Sequence, residues 1–240
     1  MQRAVAVTAV IAAGMVAAIA VRRLPGPEQD WTSAFHLEPG ELVATGRNPW
    51  FVLEPGYTLT LVDGAERLVI TVLDETRVID NIETRVIEER ETDDGQLVEI
   101  SRNFFAISRR TSNVFYFGEE VDIYENGVVT GHEGQWLSGV NGARFGLMMP
   151  GSPLLGARYY QEIAPGAAMD RAEIVSLSDS LVTPAGRFTL LLRTAETTPL
   201  EPGVREFKLY APGVGLVRDG SLSLVQHGVA AGQTRSPQPR

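Results

Sequence analysis

From residue 63 to residue 220 the chain is punctuated by short groups that accept a positive φ or preset a turn. They are Asp63-Gly64, Asp80-Asn81, Asp94-Gly95, Asn126-Gly127, Pro184-Ala185-Gly186, Pro202-Gly203, Pro212-Gly213 and Asp219-Gly220. The segments between them alternate apolar and polar residues, as in Tyr57-Thr58-Leu59-Thr60-Leu61 and Ile82-Glu83-Thr84-Arg85-Val86. A period of two places one apolar and one polar face on each strand. Further strands are expected over 68–73, 97–107, 114–123, 157–163, 172–177, 188–194, 205–210 and 221–225, with hairpins turning at Asn126-Gly127 and at Asp219-Gly220. No segment carries a long helical period with a cap and a stop, so βαβ units are not expected. The fold class is therefore mainly β: an antiparallel, strongly curved sheet or barrel, a half-barrel of the LolA or lipocalin kind, with a β-sandwich as the alternative. The stretch 139–156, with Met148-Met149-Pro150, reads as an irregular crossing over one end of the barrel.

The ends of the chain differ from this pattern. Met1-Gln2-Arg3 is followed by an unbroken small-apolar run from Ala4 to Val21 and then by Arg22-Arg23-Leu24-Pro25. Residues 1–23 read as a signal peptide with cleavage after Ala20, or as an uncleaved membrane anchor. Export through general secretion to the periplasm or beyond is the expectation, with the membrane touched only through this segment. Residues 24–46, rich in Pro, Gly and acidic side chains, read as a linker, 47–227 as a single domain, and 228–240 as a disordered tail. The chain has no cysteine, which removes disulfides, thiol catalysis, a Cys-based metal site and a Cys-linked lipid from consideration. A formal net charge of -9 disfavours nucleic acid and anionic bilayers as partners.

Two stretches are rich in chemically useful side chains. Residues 118–136 gather Glu119, Glu120, Asp122, Tyr124, Glu125, His132, Glu133 and Trp136 across an expected hairpin. Carboxylates with one imidazole suit a divalent cation, although the spacing is neither a calcium loop nor a zinc-hydrolase helix, and a solvated acidic hairpin is the plainer account. Farther on, Tyr160 and Glu162 face Asp170 and Arg171 on adjacent expected strands, where cross-strand neighbours meet and could orient a ligand. The alternative is an aromatic core on one face and ion-paired Glu162, Arg171 and Glu173 on the other. No nucleophile elbow, phosphate loop or nucleotide fingerprint is present, and no cofactor is expected. Candidate ligand-binding residues are thus His132, Glu133, Trp136, Tyr160, Glu162, Asp170 and Arg171.

Several motifs carry a resemblance. Asn48-Pro49-Trp50-Phe51, Leu53-Glu54-Pro55-Gly56-Tyr57, the run Gly118 to Gly127, His132-Glu133-Gly134, Thr198-Pro199-Leu200-Glu201-Pro202-Gly203-Val204 and Tyr210-Ala211-Pro212-Gly213-Val214-Gly215-Leu216-Val217 resemble a widespread family of exported bacterial β-rich proteins of unknown function. The final third is similar to the C-terminal part of TapB-like exported proteins. The resemblance implies export and a β fold and supplies no catalytic residue. The leading expectation is a non-enzymatic envelope protein that binds an apolar or amphipathic molecule, or a partner protein, on its curved sheet. The alternatives are a metal- or carboxylate-dependent hydrolase centred on 118–136 and a structural envelope protein without a pocket.

Overall fold

The computed structural model describes residues 31–229, and the expectations for 1–23 and for the tail beyond 229 lie outside them. Eighteen strands follow in chain order: β1 (Leu42–Val43), β2 (Gly46–Asn48), β3 (Phe51–Leu53), β4 (Tyr57–Asp63), β5 (Glu66–Ile79), β6 (Ile82–Asp93), β7 (Gln96–Ser108), β8 (Val114–Glu125), β9 (Val128–Gly131), β10 (Trp136–Leu137), β11 (Arg144–Met149), β12 (Arg158–Tyr160), β13 (Glu162–Ile163), β14 (Arg171–Thr183), β15 (Gly186–Thr197), β16 (Glu206–Ala211), β17 (Gly215–Asp219) and β18 (Leu222–Val229). No α-helix occurs among the described residues, so none there is long and apolar enough to cross a membrane.

Turn chemistry sets the hairpins. Asp80-Asn81 (φ 51° and 62°), Asp94-Gly95 (48° and 75°) and Asn126-Gly127 (53° and 77°) each have two successive residues at positive φ, as a type I′ turn requires. They join Ile79 to Ile82, Asp93 to Gln96 and Glu125 to Val128. The last hairpin differs by one residue from the expected one. Asp219 pairs with Leu222, so the turn is centred on Gly220-Ser221, with Gly220 at φ 52°.

Sixteen of the strands form one large antiparallel sheet whose path runs β12, β14, β15, β16, β17, β18, β4, β5, β6, β7, β8, β11, β13, with β1, β9 and β10 off this path, and β2 and β3 form a separate hairpin. Such long twisted strands curl, and the sheet nearly closes into a barrel with one unsealed seam. The expected curved sheet or half-barrel is what forms. The two ends of the path are neighbours in sequence: β12 pairs with β14, β13 pairs with β11, and only Gln161 lies between β12 and β13. The backbones crowd at this place, since a Cβ on Gly146 would lie 2.4 Å from the Gln161 carbonyl oxygen. The stretch 139–156 is not wholly irregular, because it contains β11, which extends the sheet from β8.

Residues 31–46, expected as part of a tether, are packed on the domain from Trp31 onward. Thr32 bridges to Tyr159, the Phe35 ring meets the Phe115 ring edge-on at 5.8 Å, and β1 pairs with the end of β7 through Leu42 and Ser108. Thr84, Arg85, Val86 and Ile87 are all buried in consequence, covered on both faces of β6. The core runs through the inside of the curl, where Leu61, Ile174, Leu192 and Leu224 are almost completely enclosed, while Phe104 and Phe117, which alternate with the inward Phe105 and Tyr116, are buried on the opposite face.

A lumen that grades from apolar to acidic

Alternation along β4 to β8 and β14 to β17 turns every second side chain into the curl, and the inward set changes character along its length. One end is an apolar cavity of about 80 Å³, lined among others by Phe51, Tyr57, Ile70, Phe105, Tyr210 and Leu216, with Glu89, Lys208 and Asp219 on the same wall. At the other end two larger hollows, of about 380 and 360 Å³, share Glu119 and Ala167. The first also touches Trp136, the second Asp170, Glu196 and Lys208. A train of rings links the ends: Phe51 to Phe105 (5.2 Å between centroids), Phe105 stacked on Tyr116 (4.7 Å), and Tyr116 edge-on to Trp136 (5.2 Å).

The acidic end has a specific electrostatic arrangement. Lys208 Nζ lies 3.4 Å from Glu196 and 3.3 Å from Asp219, and chiefly the Glu196 carboxylate raises its pKa against the opposing effect of burial. Glu89, Glu119, Glu162 and Asp170 form no ion pair within 4.0 Å among the described residues. Burial pushes Glu89 up to about 7, with Lys208 partly opposing it. Burial also pushes Glu119 up to about 7, opposed first by the Tyr116 hydroxyl. That hydroxyl donates to Asn103 Oδ1 at 2.5 Å and also faces Glu119. Trp136 Nε1 is buried without a partner at hydrogen-bonding distance, yet it is close enough to Glu119 to favour the ionised carboxylate. Glu162 is buried, accepts the Asp170 backbone N–H at 2.5 Å, and is raised by burial and then by the Asp170 carboxylate. Asp170 belongs to an exposed residue position, but loss of solvent around its carboxyl and the nearby Glu196 raise it as well.

The residues singled out in the sequence are distributed over three places. His132 and Glu133 are exposed on the β9–β10 connection, where His132 Nδ1 meets the Val121 carbonyl at 2.7 Å and Asp122 at 3.0 Å. Among the described residues no group of three or more His, Asp or Glu is placed to hold a metal ion. Trp136, Glu162 and Asp170 belong to the lumen. Tyr160 and Arg171 lie on the outside instead, around Trp31, with the Arg171 guanidinium 4.5 Å from the Trp31 ring and Tyr160 edge-on to it at 6.4 Å. Alternation turns these two outward, since Tyr159 and Ala172, their chain neighbours, are buried, and the change of strand partner at Gln161 separates them from Glu162. Glu173 is ion-paired with Arg158 at 3.1 Å. The lumen residues not singled out in the sequence are Glu89, Glu196, Lys208 and Asp219. Lys208, the only lysine of the chain, was the one available signal.

No family model and no curated protein matches the chain, so the resemblances seen in its motifs gain no support from those comparisons. Among solved structures it is similar to a protein described as a putative lipoprotein from Parabacteroides distasonis, with 13% identity and a TM-score of 0.35, over 77% of this chain and 100% of the other.

Proposed function

We propose that this chain is an exported envelope protein that holds an amphipathic molecule inside its open barrel and performs no chemistry on it. The observation that carries this reading is the join between the apolar cavity and the acidic hollows. Lys208 lines both, so a ligand with an apolar tail on Phe51, Ile70 and Phe105 would present its head past Lys208 to the acidic hollow of Glu119, Asp170 and Glu196. The apolar run of residues 4–21 supports export. A carrier that opens at a seam also suits a ligand too long for a closed can.

The test has two arms. Protein isolated from its native source is extracted with organic solvent and analysed by mass spectrometry for a stoichiometric amphiphile. Chelator-treated full chain is then titrated with eight-carbon alkyl compounds bearing neutral, anionic and cationic heads. Binding by at least one, competing with the extracted molecule, is the expected result. An empty extract together with no binding of any head type would remove the carrier reading.

A further inference from the structure

We propose that the ligand's head is an organic ammonium group, held at the acidic end of the lumen with Glu119 as its principal counter-ion. The inference rests on the carrier reading and adds the chemistry of the head. Glu119, Asp170 and Glu196 line this end together with Lys208, Glu162 lies against Asp170, and the lysine is already shared between Glu196 and Asp219. Glu119, Glu162 and Asp170 form no ion pair among the described residues, and enclosed carboxyls of this kind ionise readily only when a cation is brought to them.

A second observation is independent of the carboxyl count. Trp136 is 6% exposed, and its indole N–H has no partner while facing Glu119. Trp136 and Glu119 are cross-strand neighbours lining the same hollow, so this free N–H is a donor beside the carboxyl, and it bonds an ionised Glu119 more strongly than a neutral one. Ionisation of Glu119 is otherwise opposed by its enclosure, so the Trp136 N–H favours a state that a bound cation would stabilise further. An ammonium satisfies this site better than a quaternary head, because its N–H groups donate to carboxylate oxygens.

The experiment is calorimetric titration of the full chain at pH 7.5 with n-octylammonium, 1-octanol and octanoate. Wild type, Glu119→Gln and Asp170→Asn are compared, each checked for an unchanged circular dichroism spectrum. The expected result is that octylammonium binds at least about tenfold more tightly than octanol, with octanoate weakest. Glu119→Gln should remove most of that preference and leave octanol affinity within about twofold. Asp170→Asn should remove a smaller part, and it preserves the test if Glu119→Gln does not fold. Equal binding of octanol and octylammonium would overturn the ammonium inference while leaving the carrier reading intact. Binding led by octanoate would do the same. No binding of any of the three would overturn both.

Discussion

Arg85 shows how one side chain can close a gap that a sheet opens. The β5–β6 pairing loses register between Val72 and Thr76, and a bulge leaves carbonyl groups without ladder partners. The buried Arg85 guanidinium reaches the Leu73 carbonyl at 3.3 Å and the Glu75 carbonyl at 3.4 Å. It also donates from Nε to the Ala44 carbonyl at 3.0 Å and from a terminal nitrogen to Thr45 Oγ1 at 2.7 Å. One planar fork thus satisfies the bulge and ties down the N-terminal segment. Arg85→Met is expected to cost about 2–4 kcal/mol in urea unfolding, since it orphans several buried acceptors at once. Arg85→Lys should recover less than half of that loss, and a loss below about 0.5 kcal/mol for Arg85→Met would contradict this account. The lumen carboxyls make a second prediction at this scale. Glu89 and Glu119 rise from 4.5 to about 7 in the folded chain, so between these values the folded state binds more protons than the unfolded one. Stability from these groups is present at low pH and is lost as pH rises through that window, by about 1–3 kcal/mol for each. Glu41 acts oppositely: the Ser108 hydroxyl holds it below 4.5, and its contribution is lost only under more acidic conditions. The melting temperature should therefore be higher at pH 5.5 than at pH 7.5. A rise across the same interval would show that the carboxyls are not enclosed as described.

At the scale of elements, β8 depends on a glycine that no other residue can replace. Gly118 sits at φ 145° where the β7–β8 register shifts, and a Cβ there would lie 2.5 Å from the Trp136 carbonyl oxygen and 2.9 Å from Leu137 Cα. Both contacts are backbone or tightly held, so β10 would have to leave β8. Gly118→Ala is expected to cost about 2–4 kcal/mol, against roughly 1 kcal/mol for Gly127→Ala, whose Cβ would meet nothing within 4 Å. Thermal melting of the two variants gives the comparison, and equal losses would refute the close approach. Strands were legible in the sequence because period two and turn pairs are local signals. Every expected strand lies within or overlaps an observed one, and Asn126-Gly127 turns as read. The role of 31–46 was not legible, because its contacts are with residues far along the chain, such as Ser108 and Tyr159, and its Pro and Gly content hides a docked segment behind the composition of a linker. The same limit split the candidate site. Tyr160, Glu162, Asp170 and Arg171 stand close in sequence, but the partner change at Gln161 decides which face each takes, and that change is fixed by strands on either side of the seam.

For the whole molecule, the docked segment 31–46 sets the smallest piece that can be stable. A chain starting at residue 47 would lose the Ala44 and Thr45 contacts of Arg85, the buried Glu41 with its Ser108 partner, and the Phe35–Phe115 contact. Compared with a chain starting at residue 24, it should lose at least about 3 kcal/mol in urea unfolding. Equal stability of the two would return 24–46 to the status of a tether. Another consequence follows from β18 lying beside β4. The pairs Val62 with Ser223 and Tyr57 with Val229 join the beginning of the barrel to its end, with nearly the entire domain between them in sequence. Contacts of that separation form slowly, because the entropy of closing so long a loop is lost before any contact is gained. While the chain is being made, the edge of β4 away from β5 remains unpaired until β18 has been synthesised. A barrel whose last-made described strand must find one of its first stays pliable until that strand arrives.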